Sequence, residues 1–286
     1  MSRSFRDPPK TFKYVNEIGG TLTFEYESGF LINKPEGIDT LSVSHSSAQG
    51  INQIGATIQS SNVQSRPVTV NGRIVGNAQA AKKEQLLSVI RPDLSARLYA
   101  DDYYLEVRPT ATPVMEGRDI NASFQFSLIA AYPYWQKDDS ASATLSGIRK
   151  WFKFPWNISK TYRFGEPVNA QFININNSGQ VPIPFIVTFT AKAAVVNPKL
   201  IEAATNEYLL LNKSMVPGEK VVVEITHERT YVNSSVDGEC RGALDLGSSF
   251  YRLKVGDNVI KPEATSGKSD LQVDIDFAIE VVGITL

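Results

Sequence analysis

The clearest alternation of apolar and polar positions runs from Ile120 to Gln136, Ile-Asn-Ala-Ser-Phe-Gln-Phe-Ser-Leu-Ile-Ala-Ala-Tyr-Pro-Tyr-Trp-Gln. Phe124, Phe126 and Leu128 alternate with Gln125 and Ser127, the period of two that marks a strand with one buried face. Pro133 cannot donate to a sheet ladder and biases its neighbours toward extended backbone, so Tyr132 to Trp135 is expected to leave the sheet as a stiff aromatic connector. The stretch from Lys137 to Ala143 is small and polar and offers little to pack. It marks a boundary near the middle of the chain, giving expected domains of 1–138 and 139–286.

Ahead of that strand, Pro8-Pro9 points to an extended N-terminal arm. Thr11 to Val15, Thr21 to Tyr26, Gly29 to Ile32 and Thr40 to Ser44 are β-branched or aromatic runs cut by Gly, Asn and Pro, at hairpin spacing. Ile51 to Gly55 is expected to be a loop, and Pro67 to Val75 two strand pieces around a turn or bulge at Asn71-Gly72. One helix is expected from about Ala78 to Arg91, with Asn77 as cap, Leu86, Leu87 and Ile90 as its apolar patch, and Pro92 ending it. A hairpin follows, Ala96 to Ala100 and Tyr103 to Val107 around Asp101-Asp102. Beyond the boundary nearly everything points to β: Trp151 to Trp156, then Val168 to Asn174, Phe185 to Thr190, Tyr208 to Leu211, Lys220 to Thr226, Phe250 to Val255 and Leu271 to Ile279. Turn signals at Asn177-Ser178-Gly179, Pro217-Gly218, Gly256-Asp257-Asn258 and Ser266-Gly267 separate them, a spacing that argues for a sandwich. The fold class is therefore mainly β.

Composition narrows the picture. Apolar residues make up 42% and charged residues 21% of the 286 positions, which fits two globular domains with their own cores. No run approaches the roughly 18 apolar residues of a membrane span, and the N-terminus lacks the apolar segment of a signal peptide, so synthesis and assembly in the cytosol are expected. Residues 1–138 hold 14 Lys and Arg against 14 Asp and Glu, leaving 15 against 16 of the totals of 29 and 30. Neither half has the basic excess of a tight phosphate binder. Cys240 stands alone, which excludes an intramolecular disulfide framework and a thiolate metal site.

Catalytic chemistry finds little support. His45 and His227 fall in different domains at no metal-ligand spacing. Ser248 and Ser249 follow Gly247, but no second Gly completes a nucleophile elbow. Gly50 and Gly55 have the spacing of a phosphate loop, yet Ala56-Thr57 follows where Lys-Thr is needed. The pairs Asp101-Asp102, Asp138-Asp139 and Asp274 with Asp276 suit solvated turns and strand faces better than an acid and base pair. No catalytic, cofactor-binding or metal residue is assigned, and no enzyme activity is expected. A glycosidase or esterase would need groups converging in one cleft. Trp135, Trp151 and Trp156 could stack on sugar rings, which keeps open a two-domain carbohydrate-binding protein attaching to the bacterial cell wall; beside Pro and Phe they suit burial at a seam better.

Taken together, the chain resembles the distal tail proteins (Dit) of siphophages over nearly its whole length. The elements that carry the resemblance are Ser65-Arg-Pro-Val-Thr-Val-Asn-Gly-Arg-Ile74, the helix closing on Leu86-Leu87 before Pro92, Leu98-Tyr99, Tyr104-Leu-Glu-Val107, and Phe124-Gln-Phe126 leading to Pro133-Tyr134-Trp135. In the second half they are Asn177-Ser178-Gly179 before Pro182 and Pro184, the Gly218-Glu219 turn, and Leu253, Gly256, Asn258 and Ile260. Ala130-Ala131 stands where the family often has a cysteine, and Ile51 to Gly55 has no counterpart. The resemblance implies an N-terminal β domain with one helix and a hairpin that closes into a ring, taken to be a homo-hexamer, and a C-terminal galectin-like β-sandwich. It implies a virion tail protein assembled in the host bacterial cytoplasm. The partners would be the tail tube protein, a tail-tip or tail-associated lysin-like hub protein, and receptor-binding or side-fibre proteins, with DNA only in transit and no membrane contact. Sugar binding does not follow, because the His-x-Asn-x-Arg and Trp-Gly-x-Glu clusters are missing.

Overall fold

Phe124, Phe126, Leu128 and Ala130 all face inward on one long strand that pairs residue by residue with its neighbour, from Ser123 opposite Arg73 to Ala130 opposite Arg66. Around this pair the first of two compact units is built. The computed structural model describes residues 11–117, 122–138, 141–144, 146–150, 165–169, 172–226 and 230–285. One unit runs to Asp138 and takes back the residues from Glu280 onward; the other spans Asp139 to Ile279. The segment from Glu280, expected with the second domain, therefore belongs to the first. Val281 pairs with Trp135, and Ile284 enters the first core.

In the first unit the strands are β1 (Phe12–Asn16), β2 (Thr21–Phe24), β3 (Phe30–Ile32), β4 (Val43–Ala48), β5 (Thr57–Val63), β6 (Arg66–Ile74), β7 (Ala96–Ala100), β8 (Tyr103–Pro109), β9 (Val114–Glu116), β10 (Ser123–Ala130) and β11 (Trp135–Lys137), with helix α1 (Gln79–Val89) between β6 and β7. All pairings are antiparallel. One sheet runs β2-β1-β7-β8 and on through β11 to Glu280–Val281; the other holds β10, β6 and β3 with β9 beside β10, and the end of β8 joins the two. Tyr14, Leu22, Leu98 and Leu105 from the first sheet meet Val68, Val70, Phe124 and Phe126 from the second in one core.

Three local expectations change. The Asn71-Gly72 pair makes no turn, and β6 runs straight through it, laddered to β10 on one side and β3 on the other. Glycine is needed there because a Cβ would lie 2.4 Å from the Phe124 ring and 2.5 Å from the Leu31 carbonyl oxygen. Asn77 does not cap the helix; Ala78 occupies the cap position in left-handed geometry without a side-chain bond. The apolar patch is Leu86, Val89 and Ile90, whereas Leu87 is 43% exposed, since Val89 rather than Leu87 falls on the face that packs into the first core.

The second unit contains β12 (Ala141–Thr144), β13 (Ser146–Lys150), β14 (Gly165–Asn169), β15 (Ile173–Asn177), β16 (Ile186–Ala191), β17 (Val195–Val196), β18 (Lys199–Glu202), β19 (Tyr208–Leu210), β20 (Ser214–Met215), β21 (Lys220–Ile225), β22 (Thr230–Ser234), β23 (Gly238–Glu239), β24 (Gly256–Glu263) and β25 (Leu271–Phe277). A six-stranded sheet in the order β12-β25-β16-β21-β22-β23 and a four-stranded sheet in the order β15-β24-β18-β19 share a single core, as in a β-sandwich. The strict alternation of β25 is realised, with Leu271, Val273, Ile275 and Phe277 inward. The strand expected at Phe250 to Val255 is instead mostly loop, and β24 begins where a turn was expected. Asn258 causes the shift: its side chain donates to the carbonyls of Lys254, Gly256 and Ile175 and accepts from the Lys254 N–H, so the bend precedes it.

Candidate assembly interface

Between Asp39 and Arg66 the sequence contains no Lys, Arg, Asp or Glu. In the structure this stretch holds a long hairpin, β4 and β5 joined at Gln49 to Ala56, and every residue from Val43 to Val63 is exposed. The two strands pair with each other and with no further strand among the described residues. The expected loop at Ile51 to Gly55 is its tip, where Ile51 and Ile54 are 99% and 101% exposed.

Register gives the ribbon two unlike faces. Val43 sits opposite Val63, His45 opposite Ser61 and Ser47 opposite Ile58, so one face holds both valines, Ile58 and His45. The other holds Ser44, Ser46, Ala48, Thr57, Ser60 and Asn62. A bulge between Ser46 and Ser47 keeps Ile58 on the valine side. Exposed strand edges normally carry Lys, Pro or inward charge against pairing with another chain, and this hairpin carries none of them. The sequence showed half of it. The Ser44 to Ser47 and Ser60 to Asn62 stretches lack the apolar alternation by which strands are recognised, so β5 had no signal except the absence of charge.

The roots of the hairpin are tightly held. Arg66, at the start of β6, is 2% exposed. Its Nε donates to the Pro133 carbonyl at 2.7 Å, its Nη1 to Gly37 and Ile38 at 2.8 and 3.0 Å, and its Nη2 to Val282. Burial pushes the guanidinium pKa down while the charge of Asp39 opposes that shift. Trp135 is fully buried and its Nε1 donates to the same Ile38 carbonyl at 3.0 Å, so the indole is no surface for a sugar ring. On the outgoing root the Lys34 ammonium, 2.7 Å away, holds the Asp39 carboxyl below the usual carboxylate range.

The groups weighed for catalysis are dispersed. His45 shares a 2.8 Å hydrogen bond with Ser61 within the hairpin, and Gly50 and Gly55 lie at its tip. Ser248 Oγ accepts from the Leu210 N–H and donates to its carbonyl, and Ser249 bonds Glu207, so both hydroxyls fasten a loop along β19. Cys240 is half-buried and burial pushes its thiol pKa up. Asp101 bonds the Thr11 N–H at a hairpin tip. Burial, and then the charge of Asp274, raise the Asp276 pKa on β25. No group of three metal-ligating side chains gathers among the described residues. Trp151, Trp156, Asp139 and His227 lie outside the described residues.

Residues 178–278, inside the sandwich, match the family described as siphovirus-type tail component, C-terminal domain. The whole chain superposes on Dit of phage SPP1 with a TM-score of 0.67 at 12% identity, covering 94% of this chain and 98% of that one. The chain has the fold of that Dit protein. The SPP1 protein is described as a paradigm of the hub adsorption apparatus in phages that infect Gram-positive bacteria. Chains of the phage P2 baseplate in its activated conformation share the fold at lower similarity. The calcium form gives a TM-score of 0.52 and the strontium form 0.51, each at 9% identity over 97% of this chain and 100% of that one. No curated protein sequence matches the chain. The Dit-type fold thus spans both units, while the family's sequence pattern is carried by the sandwich.

Proposed function

We propose that this chain is a Dit-type structural hub of a phage tail, in which copies close into a ring of six through the first unit. The ring would join the tail tube to the tail-tip or tail-associated hub protein, and its lumen would let DNA pass. The observation that carries this reading is the 43–63 hairpin: a fully exposed, uncharged ribbon with one valine and isoleucine face and two unpaired edges. A solitary soluble chain with such a surface would aggregate, and a neighbouring copy of the same chain satisfies it. A head-to-tail contact of this kind, repeated at a fixed rotation, closes into a ring. The formal charge of −1 also suits a conduit, since strong phosphate contacts would hold DNA instead of letting it slide.

Purified protein at micromolar concentration should show closed six-fold rings in negative-stain micrographs and a hexamer mass by light scattering. Replacing residues 43–63 with a short Gly-Ser link should leave a folded monomer. A full-length chain that stays monomeric under these conditions would sink the reading.

A further inference from the structure

The roots of the hairpin are tied to residues from the far end of the fold. Arg66 Nη2 donates to the Val282 carbonyl, the Ile284 N–H donates to the Ile38 carbonyl at 3.1 Å, and Gly283 lies so close to Asp39 that a Cβ on it would sit 2.7 Å from the Asp39 carbonyl oxygen. Upstream in the same segment, Glu280 is 1% exposed and accepts from Tyr132 Oη at 2.5 Å, while Val281 extends the sheet at Trp135. One short stretch, 280–285, therefore touches both roots of the hairpin and the strand that supports them.

The chemistry of Arg66 makes this more than packing. Its hydrogen bonds all go to backbone carbonyls, drawn from Gly37, Ile38, Pro133 and Val282. A buried guanidinium keeps its charge, and an N–H left without an acceptor there is costly. Val282 supplies an acceptor from 216 positions away in sequence. Without it, Arg66 must swing outward or the return root must open to water. Either response frees the hairpin to change direction.

We propose that residues 280–285 are a latch that sets the direction of the 43–63 hairpin, with Arg66 as the positioning residue, so that the first unit becomes competent to assemble only after the whole second unit has been synthesised. This rests on the ring reading for its consequence but not for its geometry. The whole of the second unit lies between residues 138 and 280, so a chain broken off anywhere within it lacks the latch. Such a chain would hold a folded but unaimed hairpin and stay out of the ring. A hub that must be complete in every copy gains from that exclusion.

The test compares full-length protein with a variant ending at Ile279 and with Gly283→Val, whose side chain collides with Asp39 and displaces the latch without shortening the chain. Hydrogen exchange followed by mass spectrometry is read on peptides spanning 36–42 and 64–69, which include the Gln64 N–H bonded to Ser42 and the Thr69 N–H bonded to Glu36. Both variants should exchange there about 10- to 100-fold faster, the equilibrium equivalent of one lost hydrogen bond to a charged group. Peptides of β1, of β7 and of β10 ahead of Ser127 should be unchanged. Ring formation should fall at least tenfold, and neither variant should enter rings of full-length protein when mixed.

Unchanged root exchange in both variants overturns the latch, and so does loss of protection throughout the first unit in both, because the segment would then be ordinary core. If full-length protein forms no rings, the hub reading fails on its own and the exchange result still decides the latch. Arg66→Lys should reproduce part of the root opening, since the three N–H donors of a lysine ammonium cannot serve the same four carbonyls.

Discussion

Single residues in this protein do their work through close contacts that composition does not reveal. Glu219 is 2% exposed in the second unit. Burial disfavours its charge, but bonds from Ser234 Oγ, the Val216 N–H and Lys213 outweigh that and hold its pKa below the ordinary value. A carboxylate depressed in the folded state adds stability that is full above its unfolded pKa of about 4.3 and is lost as pH falls through the folded value. Urea titrations followed by far-UV circular dichroism should therefore show the wild type weakening below about pH 4. Glu219→Gln should be less stable at pH 7 and show a flatter decline over the acid window. An equal slope in both proteins would remove Glu219 from the account.

At the scale of elements, helix α1 packs into the core of the first unit through Leu86 and Val89, with Ile90 just after it, and leaves Leu87 toward solvent. Leu86→Ala should cost about 2–5 kcal/mol, as for other fully buried leucines, by transfer and cavity terms together. Leu87→Ala should stay within about 0.5 kcal/mol in the monomeric, hairpin-deleted protein. Equal losses at both positions would mean that the helix presents a different face. The pattern Leu86, Leu87, Ile90 was compatible with either orientation. One residue of rotation on a helix is about 100°, and only the sheets it covers select the face.

For the whole molecule, the relevant surface is the uncharged hairpin. Interfaces built on rim charges weaken as salt screens them, whereas apolar and backbone contacts do not. Rings formed through residues 43–63 should persist between about 0.05 and 0.5 M sodium chloride and be strengthened by sulfate. Sedimentation velocity over that range measures it, and rings that fall apart as chloride rises would point to a charged surface elsewhere.

Strands with one wet face were legible because burial writes a period of two into them: β1, β7, β8, β10, β16, β21 and β25 all appear where alternation or β-branched runs place them. The resemblance to distal tail proteins was legible as well, through the order of short pieces along the chain. What the sequence could not carry was anything set by residues distant along it. β4 and β5 face solvent on both sides, so no core imposed a pattern on them. Gly72 sits in a ladder because Phe124 presses on it from another strand. The segment from Glu280 joins the first unit because the Arg66 guanidinium, the Ile38 carbonyl and the Val281 to Trp135 ladder need partners there. Local sequence records which face a residue turns to water, whereas pairing across a hundred or two hundred positions is decided only when the folded backbone brings donor and acceptor together.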